Sequence, residues 1–235
     1  RPWFTQFNED YSNREDIPHA IAVDNLGNVY VTGESYYLSD DYLTIKYNSQ
    51  GIEQWQKRYG GPGQDIAYSI ALDENRNVYI TGKEMTGGNQ NCVTLKYSSG
   101  GTLLWEKPYD GPTGDNDIGR VIAAASDGSI YVAGSTESPA NAYDYLLIKY
   151  NSSGTEQWVR TFDGPAHGTD NVRNMVLGYN NSIFITGISE GTGTDYDYLT
   201  VRYNAGGYIQ WSKRYNGPVN GDDRAVSLAV DDIGN

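Results

Sequence analysis

The sequence predicts an all-β fold assembled from four-stranded units, and three features of the chain support this. Among its 235 residues are 21 tyrosines, 5 tryptophans and 28 glycines, a composition that suits short strands joined by tight turns. A cassette of alternating apolar residues returns about every 50 residues, and a tryptophan returns at the same interval. Units of strands and turns with this period are typical of propeller blades. We therefore expect a β-propeller of four-stranded antiparallel blades.

The two markers of the repeat are independent of each other. The aromatic residues of the cassette lie 49, 52 and 53 residues apart, at Tyr30, Tyr79, Tyr131 and Phe184. The tryptophans lie 50 to 53 residues apart, at Trp3, Trp55, Trp105, Trp158 and Trp211. A tryptophan at one fixed place in every outer strand suits packing between blades, so we expect these rings to belong to the core.

The turns divide each unit into four strands. In the second unit we expect strands at 65–73, 77–84, 91–97 and 103–109. The same division places complete blades at 16–59, 65–109, 117–162 and 170–215, and partial blade strands at 1–7 and 222–235. We therefore expect residues 1–235 to form a single propeller fragment of four complete blades and two partial blade ends. A complete ring would hold about five to seven blades.

Three linked cassettes carry a family resemblance. They read Gly-Asn-Val-Tyr-Val-Thr-Gly at 27–33, Asp-Tyr-Leu-Thr-Ile-Lys-Tyr-Asn at 41–48, and Trp55 followed by Tyr-Gly-Gly-Pro-Gly at 59–63. In this order they resemble the SBBP repeats, a family named for seven-bladed β-propellers. The resemblance extends over essentially the whole chain. It implies a secreted or cell-surface protein of bacteria or archaea, and it implies no particular reaction.

Charge and hydropathy narrow the class of partner. Thirty acidic and 17 basic side chains give a formal net charge of −13, which repels phosphate backbones, so we expect no nucleic-acid partner. A mean hydropathy of −0.61 and a longest apolar run at 121–125 predict no membrane insertion. A protein or glycan ligand fits better, as does a larger extracellular assembly. Cys92 is the single cysteine, so no intrachain disulfide can form.

An aspartate precedes the first strand of every unit. These residues are Asp16, Asp65, Asp117, Asp170 and Asp223. Because first strands line the axis of a propeller, we expect the carboxylates to form a ring, which is suited to hold a cation such as Ca²⁺. Each could instead accept hydrogen bonds from its own Gly-Pro connection or pair with the periodic bases Lys46, Lys96, Lys149 and Arg202. We favour the structural role and predict no other cofactor.

The loops between second and third strands vary from unit to unit. Variable loops on a rigid scaffold are where binding residues usually lie. Their aromatic residues are therefore our candidates for contacting a ligand, and they are Tyr36, Tyr37, Tyr143 and Tyr196.

Catalysis finds little support in the sequence. His19 and His167 are the only histidines, and neither has a spaced His or Cys partner. We predict no catalytic residues and a non-enzymatic extracellular binding or scaffold module. Two alternatives stay open: a polysaccharide hydrolase or lyase with its site on one propeller face, and a structural subunit of an extracellular assembly.

Overall fold

The computed structural model describes residues 15–139 and 142–231, and its fold is all-β. Sixteen strands form four antiparallel sheets of four strands each. Over the described ranges the one helical element is a single 3₁₀ turn at Tyr179–Asn181. The predicted fold class, a propeller of four-stranded antiparallel blades, is confirmed.

Each blade is a meander in which consecutive strands pair. The first blade contains β1 (Asp16–Val23), β2 (Val29–Tyr36), β3 (Asp40–Tyr47) and β4 (Glu53–Tyr59). The second contains β5 (Ile66–Leu72), β6 (Val78–Thr86), β7 (Asn89–Tyr97) and β8 (Leu103–Tyr109). The third contains β9 (Asp117–Ala124), β10 (Ile130–Glu137), β11 (Tyr143–Tyr150) and β12 (Glu156–Phe162). The fourth contains β13 (Asp170–Leu177), β14 (Ile183–Gly191), β15 (Thr194–Tyr203) and β16 (Ile209–Tyr215).

The glycine that ends each cassette marks a close approach of two backbones. Gly82 pairs with Ala67, next to a β-bulge between Ala67 and Ser69. A Cβ atom at Gly82 would overlap the carbonyl oxygen of Ile66, and Gly33, Gly134 and Gly187 face the equivalent carbonyl in their own blades. The first strand of every blade therefore needs glycine opposite its bulge.

Hydrophobic packing runs from each blade to the next. The first strands contact one another in chain order, β1 with β5, β5 with β9, and β9 with β13. Tyr42 of the first blade lies in one buried cluster with Ile80 and Val93 of the second. Tyr145 of the third blade is likewise buried, and its hydroxyl donates to the carbonyl of Leu199 in the fourth. The core consequently lies between blades, where each sheet covers its neighbour.

The periodic tryptophans and lysines also reach into the next blade. Trp105 packs partly buried against the cluster between the second and third blades, and its indole N–H donates to the carbonyl of Ser152 at 3.3 Å. Trp55 makes the same contact with Ser99 at 3.1 Å. The ammonium groups of the periodic lysines donate to turn carbonyls of the following blade, in the pairs Lys46 with Ser99, Lys96 with Ser152, and Lys149 with Ala205.

The two predicted partial blades have different outcomes. Residues 1–7, including Trp3, lie outside the described residues. Residues 222–231 form no strand ladder. They still run along the fourth blade, where a Cβ atom at Gly178 would lie 3.4 Å from Cγ1 of Val230.

Candidate functional site

The loops that differ between blades lie together at one edge of the sheets. The antiparallel register places Asp16 opposite Ser35 and Tyr42 opposite Tyr59. The start of each first strand, the loop from second to third strand, and the connection to the next blade therefore share an edge. We call this the connection edge, and within the described chain it comprises the loops at 36–40, 60–65, 86–89, 110–116, 163–169, 191–194 and 216–223.

The periodic aspartates lie on the connection edge and hold its backbone. Asp65, Asp117 and Asp170 are fully buried. With Asp223 they accept hydrogen bonds of 2.5 to 2.7 Å from the backbone N–H of the glycine that precedes the connection's proline, Gly61, Gly111, Gly164 and Gly217 respectively. Asp16 accepts a hydrogen bond from the hydroxyl of Ser35. Each acid therefore has a local structural contact in its own connection or blade.

The periodic lysines do not pair with these aspartates. Lys46 lies opposite Tyr30 in the β2–β3 ladder, near the turns at the other edge of the blade, and its ammonium lies 5.1 Å from the centre of the Tyr30 ring. Lys96 and Lys149 lie in the same way over Tyr79 and Tyr131. Of the two structural roles open to the aspartates, pairing with these lysines is not the one observed, because the register separates the two residue types by most of a strand's length.

Two of the aspartates each keep one oxygen without a hydrogen bond. The buried Oδ1 atoms of Asp117 and Asp170 have no hydrogen-bond partner. Asp170 also lies with Asp144 and Asp163 in a group of three carboxylates whose ligand atoms lie within 4.8 Å of one another. Burial, with the nearby charges of Asp163 and Asp170, raises the pKa of Asp144 from its usual 3.8 to about 6. Sequence reasoning missed this group because its members lie on different strands and loops.

The four candidate tyrosines lie on or beside the connection edge. Tyr37 is 49% exposed and the guanidinium of Arg58 lies 5.9 Å from its ring centre. Tyr36 and Tyr143 are partly buried at the ends of their strands, and burial raises the pKa of Tyr143. Tyr196 is also partly buried, with the guanidinium of Arg224 at 5.4 Å from its ring centre. Tyr37 is therefore the most accessible of the four.

An acidic cleft lies at the connection edge between the first two blades. It encloses about 310 Å³ and is lined by Glu15, Ile17, Glu34, Asp40 and Gln64. Its size is at the lower end of the range of ligand pockets, about 300–1,000 Å³. No periodic aspartate lines it, so a search for repeated residues could not have found it.

A second groove lies on the outward face of the first blade. It encloses about 210 Å³ and is lined mainly by the aliphatic and aromatic side chains of Val31, Leu43, Ile45 and Tyr47, with Asp16 and Glu34 also among its residues. This volume is below the usual range of ligand pockets. The groove has the character of a blade-packing face.

Comparison with known families agrees with the strand repeat. The SBBP family model, described as a beta-propeller repeat, matches residues 3–36 and 54–83. These two segments of the chain are therefore similar to SBBP repeats. The resemblance predicted from the cassettes is thus confirmed, and the first SBBP match ends at Tyr36, at the start of a connection-edge loop. No curated protein sequence matches the chain.

Solved structures show only distant likeness to this chain. The periplasmic gluconolactonase of Pseudomonas aeruginosa is 8% identical over 83% of this chain and 71% of its own, with a TM-score of 0.39. A structure from the GH130 family of mannoside phosphorylases, described as containing glycoside hydrolases that target beta-1,2 mannosidic linkages in Candida mannan, is 11% identical over 79% of this chain and 64% of its own, with a TM-score of 0.37. The tail fiber of Staphylococcus aureus phage P68 is 11% identical over 84% of this chain and 49% of its own, with a TM-score of 0.26. Such values carry no argument about activity.

Proposed function

We propose that this chain is a non-enzymatic, extracellular or cell-surface binding or scaffold module that recognises a protein or glycan through its connection edge. The supporting observation is that the repeating residues hold the blades together, whereas the variable loops lie on one edge. The residues that repeat, such as Trp105, Lys96 and Asp117, make contacts within and between blades. The loops whose length differs between blades all lie on the connection edge, and such variable loops are where binding residues of rigid scaffolds usually lie.

The acidic cleft is the part of this edge that we assign to recognition. Glu34 and Asp40 lie on opposite sides of the β2–β3 loop, whose tip exposes Tyr37 and Leu38, the latter 82% exposed. A cleft lined by carboxylates beside an exposed aromatic and an exposed aliphatic side chain suits a ligand with a basic or hydroxyl-rich group. The exterior location in this proposal rests on the SBBP resemblance. In the described chain no helix is long and apolar enough to cross a membrane.

Binding to immobilised basic peptides and neutral glycans tests the proposal. We expect Tyr37→Ala combined with Asp40→Asn to weaken binding of whichever probe the wild type retains by about 10-fold or more, with Tm unchanged. Tyr179→Ala is the matched control, because Tyr179 is 68% exposed in a turn at the opposite edge. Equal loss in both variants, or no retained probe, would contradict the proposal.

A polysaccharide-acting enzyme is the second candidate, and Asp144 is the observation that favours it. A carboxyl group whose pKa is about 6 beside a second carboxylate is suited to act as a general acid near neutral pH. Incubation with the retained glycan distinguishes the two functions. Shortened products that disappear in Asp144→Asn would support the enzyme, whereas glycan recovered at full length supports the binding module.

A further inference from the structure

The three-carboxylate group at the connection between the third and fourth blades differs from its counterparts in the other blades. We propose that Asp144, Asp163 and Asp170 form a Ca²⁺ site that fastens this connection. The inference does not depend on what the connection edge recognises.

The repeat supplies an internal comparison for each ligand position. Asp170 has an aspartate counterpart at every connection. Asp144 lies on the third strand of its blade, two residues before Leu146. The equivalent residues in the first, second and fourth blades are Asp41, Asn91 and Asp197. The position of Asp163, directly after the fourth strand, is held by Gly60, Asp110 and Asn216. Only the third blade places a carboxylate at all three positions.

The other blades that carry an acid at the Asp144 position neutralise it with arginine. Arg214 donates to Asp197 at 2.7 Å in the fourth blade. Arg58 lies 3.8 Å from Asp41 in the first. These arginines pair in the ladder with Leu199 and Leu43, and the residue at the same register position in the third blade is Thr161, opposite Leu146. Compared with the first and fourth blades, the third blade therefore has an additional acid, Asp163, and no arginine at this register position.

The remaining positive charges near the group do not replace the missing arginine. The Nδ1 atom of His167 lies 2.6 Å from Oδ2 of Asp163, but the His167 side chain is 80% exposed, so solvent screens its charge. The charge of Arg214 also acts on Asp170, although its guanidinium is bound to Asp197. Three carboxylates with one solvated imidazole therefore leave a net negative charge at neutral pH, which a divalent cation would balance.

A second observation, separate from the count of acids, points to a missing ligand. Asp170 is fully buried, and while its Oδ2 accepts the N–H of Gly164, its Oδ1 has no hydrogen-bond partner. Burial raises the pKa of Asp170, and the nearby hydroxyl of Ser189 offsets part of that rise. Buried carboxylate oxygens are almost always paired or coordinated to a metal. An oxygen-rich, flexible set of this kind suits Ca²⁺ better than the smaller, octahedral Mg²⁺.

Calcium titration of the full chain tests the site by calorimetry and by Tm. We expect one Ca²⁺ per chain with a Kd on the order of 10⁻⁴–10⁻³ M, the range of extracellular modules, and a Tm rise of about 3–6 °C in about 10 mM CaCl₂. Asp144→Asn and Asp163→Asn should each weaken binding by about 10-fold or more. Magnesium at the same concentration should give a clearly smaller Tm rise. An equal rise would overturn the assignment to calcium.

The second blade supplies a matched control and a gain-of-site variant. Asp110→Asn removes the counterpart of Asp163 at a connection where Asn91 stands in place of Asp144, so it should leave calcium binding unchanged. Asn91→Asp should add a second binding equivalent there, because Asp117 offers the same unpartnered oxygen. The absence of saturable binding in the wild type would overturn the proposal, as would an equal loss in Asp110→Asn. Since Asp163 is partly exposed, its variant keeps the test valid if Asp144→Asn folds poorly.

Discussion

The phenol of Tyr79 donates a hydrogen bond to the carboxylate of Asp73 across 3.0 Å, whereas its counterpart Tyr131 is buried with no partner for its hydroxyl. The difference follows from the turn before the cassette, where the third blade has Ala125 in place of the aspartate. In the fourth blade the aromatic residue is Phe184, which has no hydroxyl to satisfy. The phenol is therefore hydrogen-bonded where the turn supplies an aspartate and unsatisfied where it does not.

This pair predicts opposite outcomes for one substitution at two positions. Tyr79→Phe should destabilise the protein by about 1.5–3 kcal/mol, because it removes a hydrogen bond to a carboxylate. Tyr131→Phe should be neutral or stabilising by up to about 1–3 kcal/mol, because it removes a buried unsatisfied hydroxyl. Urea unfolding of both variants measures the difference. Equal destabilisation by the two substitutions would contradict the pairing.

The bulge opposite the cassette glycine predicts a large effect of a single methyl group. Gly82→Ala would drive its Cβ into the carbonyl oxygen of Ile66, so we expect a loss of at least about 3 kcal/mol of unfolding free energy, or no folded protein. Gly61→Ala is the control, because a Cβ there meets nothing within 4 Å, and its effect should stay within about 0.5 kcal/mol. Chemical denaturation provides the values. A tolerated Gly82→Ala would mean that the two strands approach less closely than described.

The contacts of the periodic tryptophans with the next blade should contribute to the free energy of unfolding. Trp105 is only partly buried, so Trp105→Ala should destabilise by about 2–3 kcal/mol, below the ~3–5 kcal/mol of a fully buried tryptophan. Leu104→Ala changes the neighbouring residue, which is 50% exposed, and should cost less than about 0.5 kcal/mol. Guanidinium unfolding followed by far-UV circular dichroism compares the two. Unchanged stability of Trp105→Ala would argue against its role in joining the blades.

Asp144 predicts a pH dependence of stability in calcium-free buffer. Burial, Asp163 and Asp170 raise its pKa to about 6 in the folded protein, and the charge of His167 partly offsets them. A raised carboxyl pKa favours the protonated form in the folded state. Its stabilising contribution is therefore complete below the unfolded value near 3.8 and is lost as the pH rises through about 6.

The Asp144→Asn variant measures this dependence directly. It should exceed the wild type in Tm at about pH 7.5, and the difference should shrink toward about pH 5, where Asp144 is largely protonated. His167, whose pKa is raised chiefly by its hydrogen bond to Asp163, pairs better with Asp163 at the lower pH in both proteins. A difference that does not change with pH would mean that Asp144 is not strained by its neighbours.

Most of the fold could be predicted because the repeat encodes it redundantly. The strands of the second blade begin and end within one or two residues of their predicted positions, since tight turns and alternating apolar residues mark both boundaries. The partners of Lys46 could not be predicted, because sequence periodicity gives the spacing of residues along the chain but not the end of the strand on which each lies. The antiparallel register decides that, and it puts Lys46 opposite Tyr30.

The three-carboxylate group stands out in the sequence only when the repeats are aligned and the blade that departs from the others is identified. The replacement of Arg58 and Arg214 by Thr161, together with the acid at Asp163, is visible in the sequence once the ladder register is known. The acidic cleft carries no such signal. Its lining residues lie on the first blade, where the β1–β2–β3 ladders bring them together, except for Gln64 of the connection to the second blade.

The second blade buries both of its faces against its neighbours, so this blade in isolation should not fold. Val93 and Leu95 of the second blade are fully buried in the cluster shared with the first blade, and Cys92 faces the third. An ¹⁵N HSQC spectrum of the peptide 65–109 measures this directly. We expect the narrow amide dispersion of an unfolded chain. A dispersed spectrum with protected amides would show that a blade is stable alone and would contradict the account.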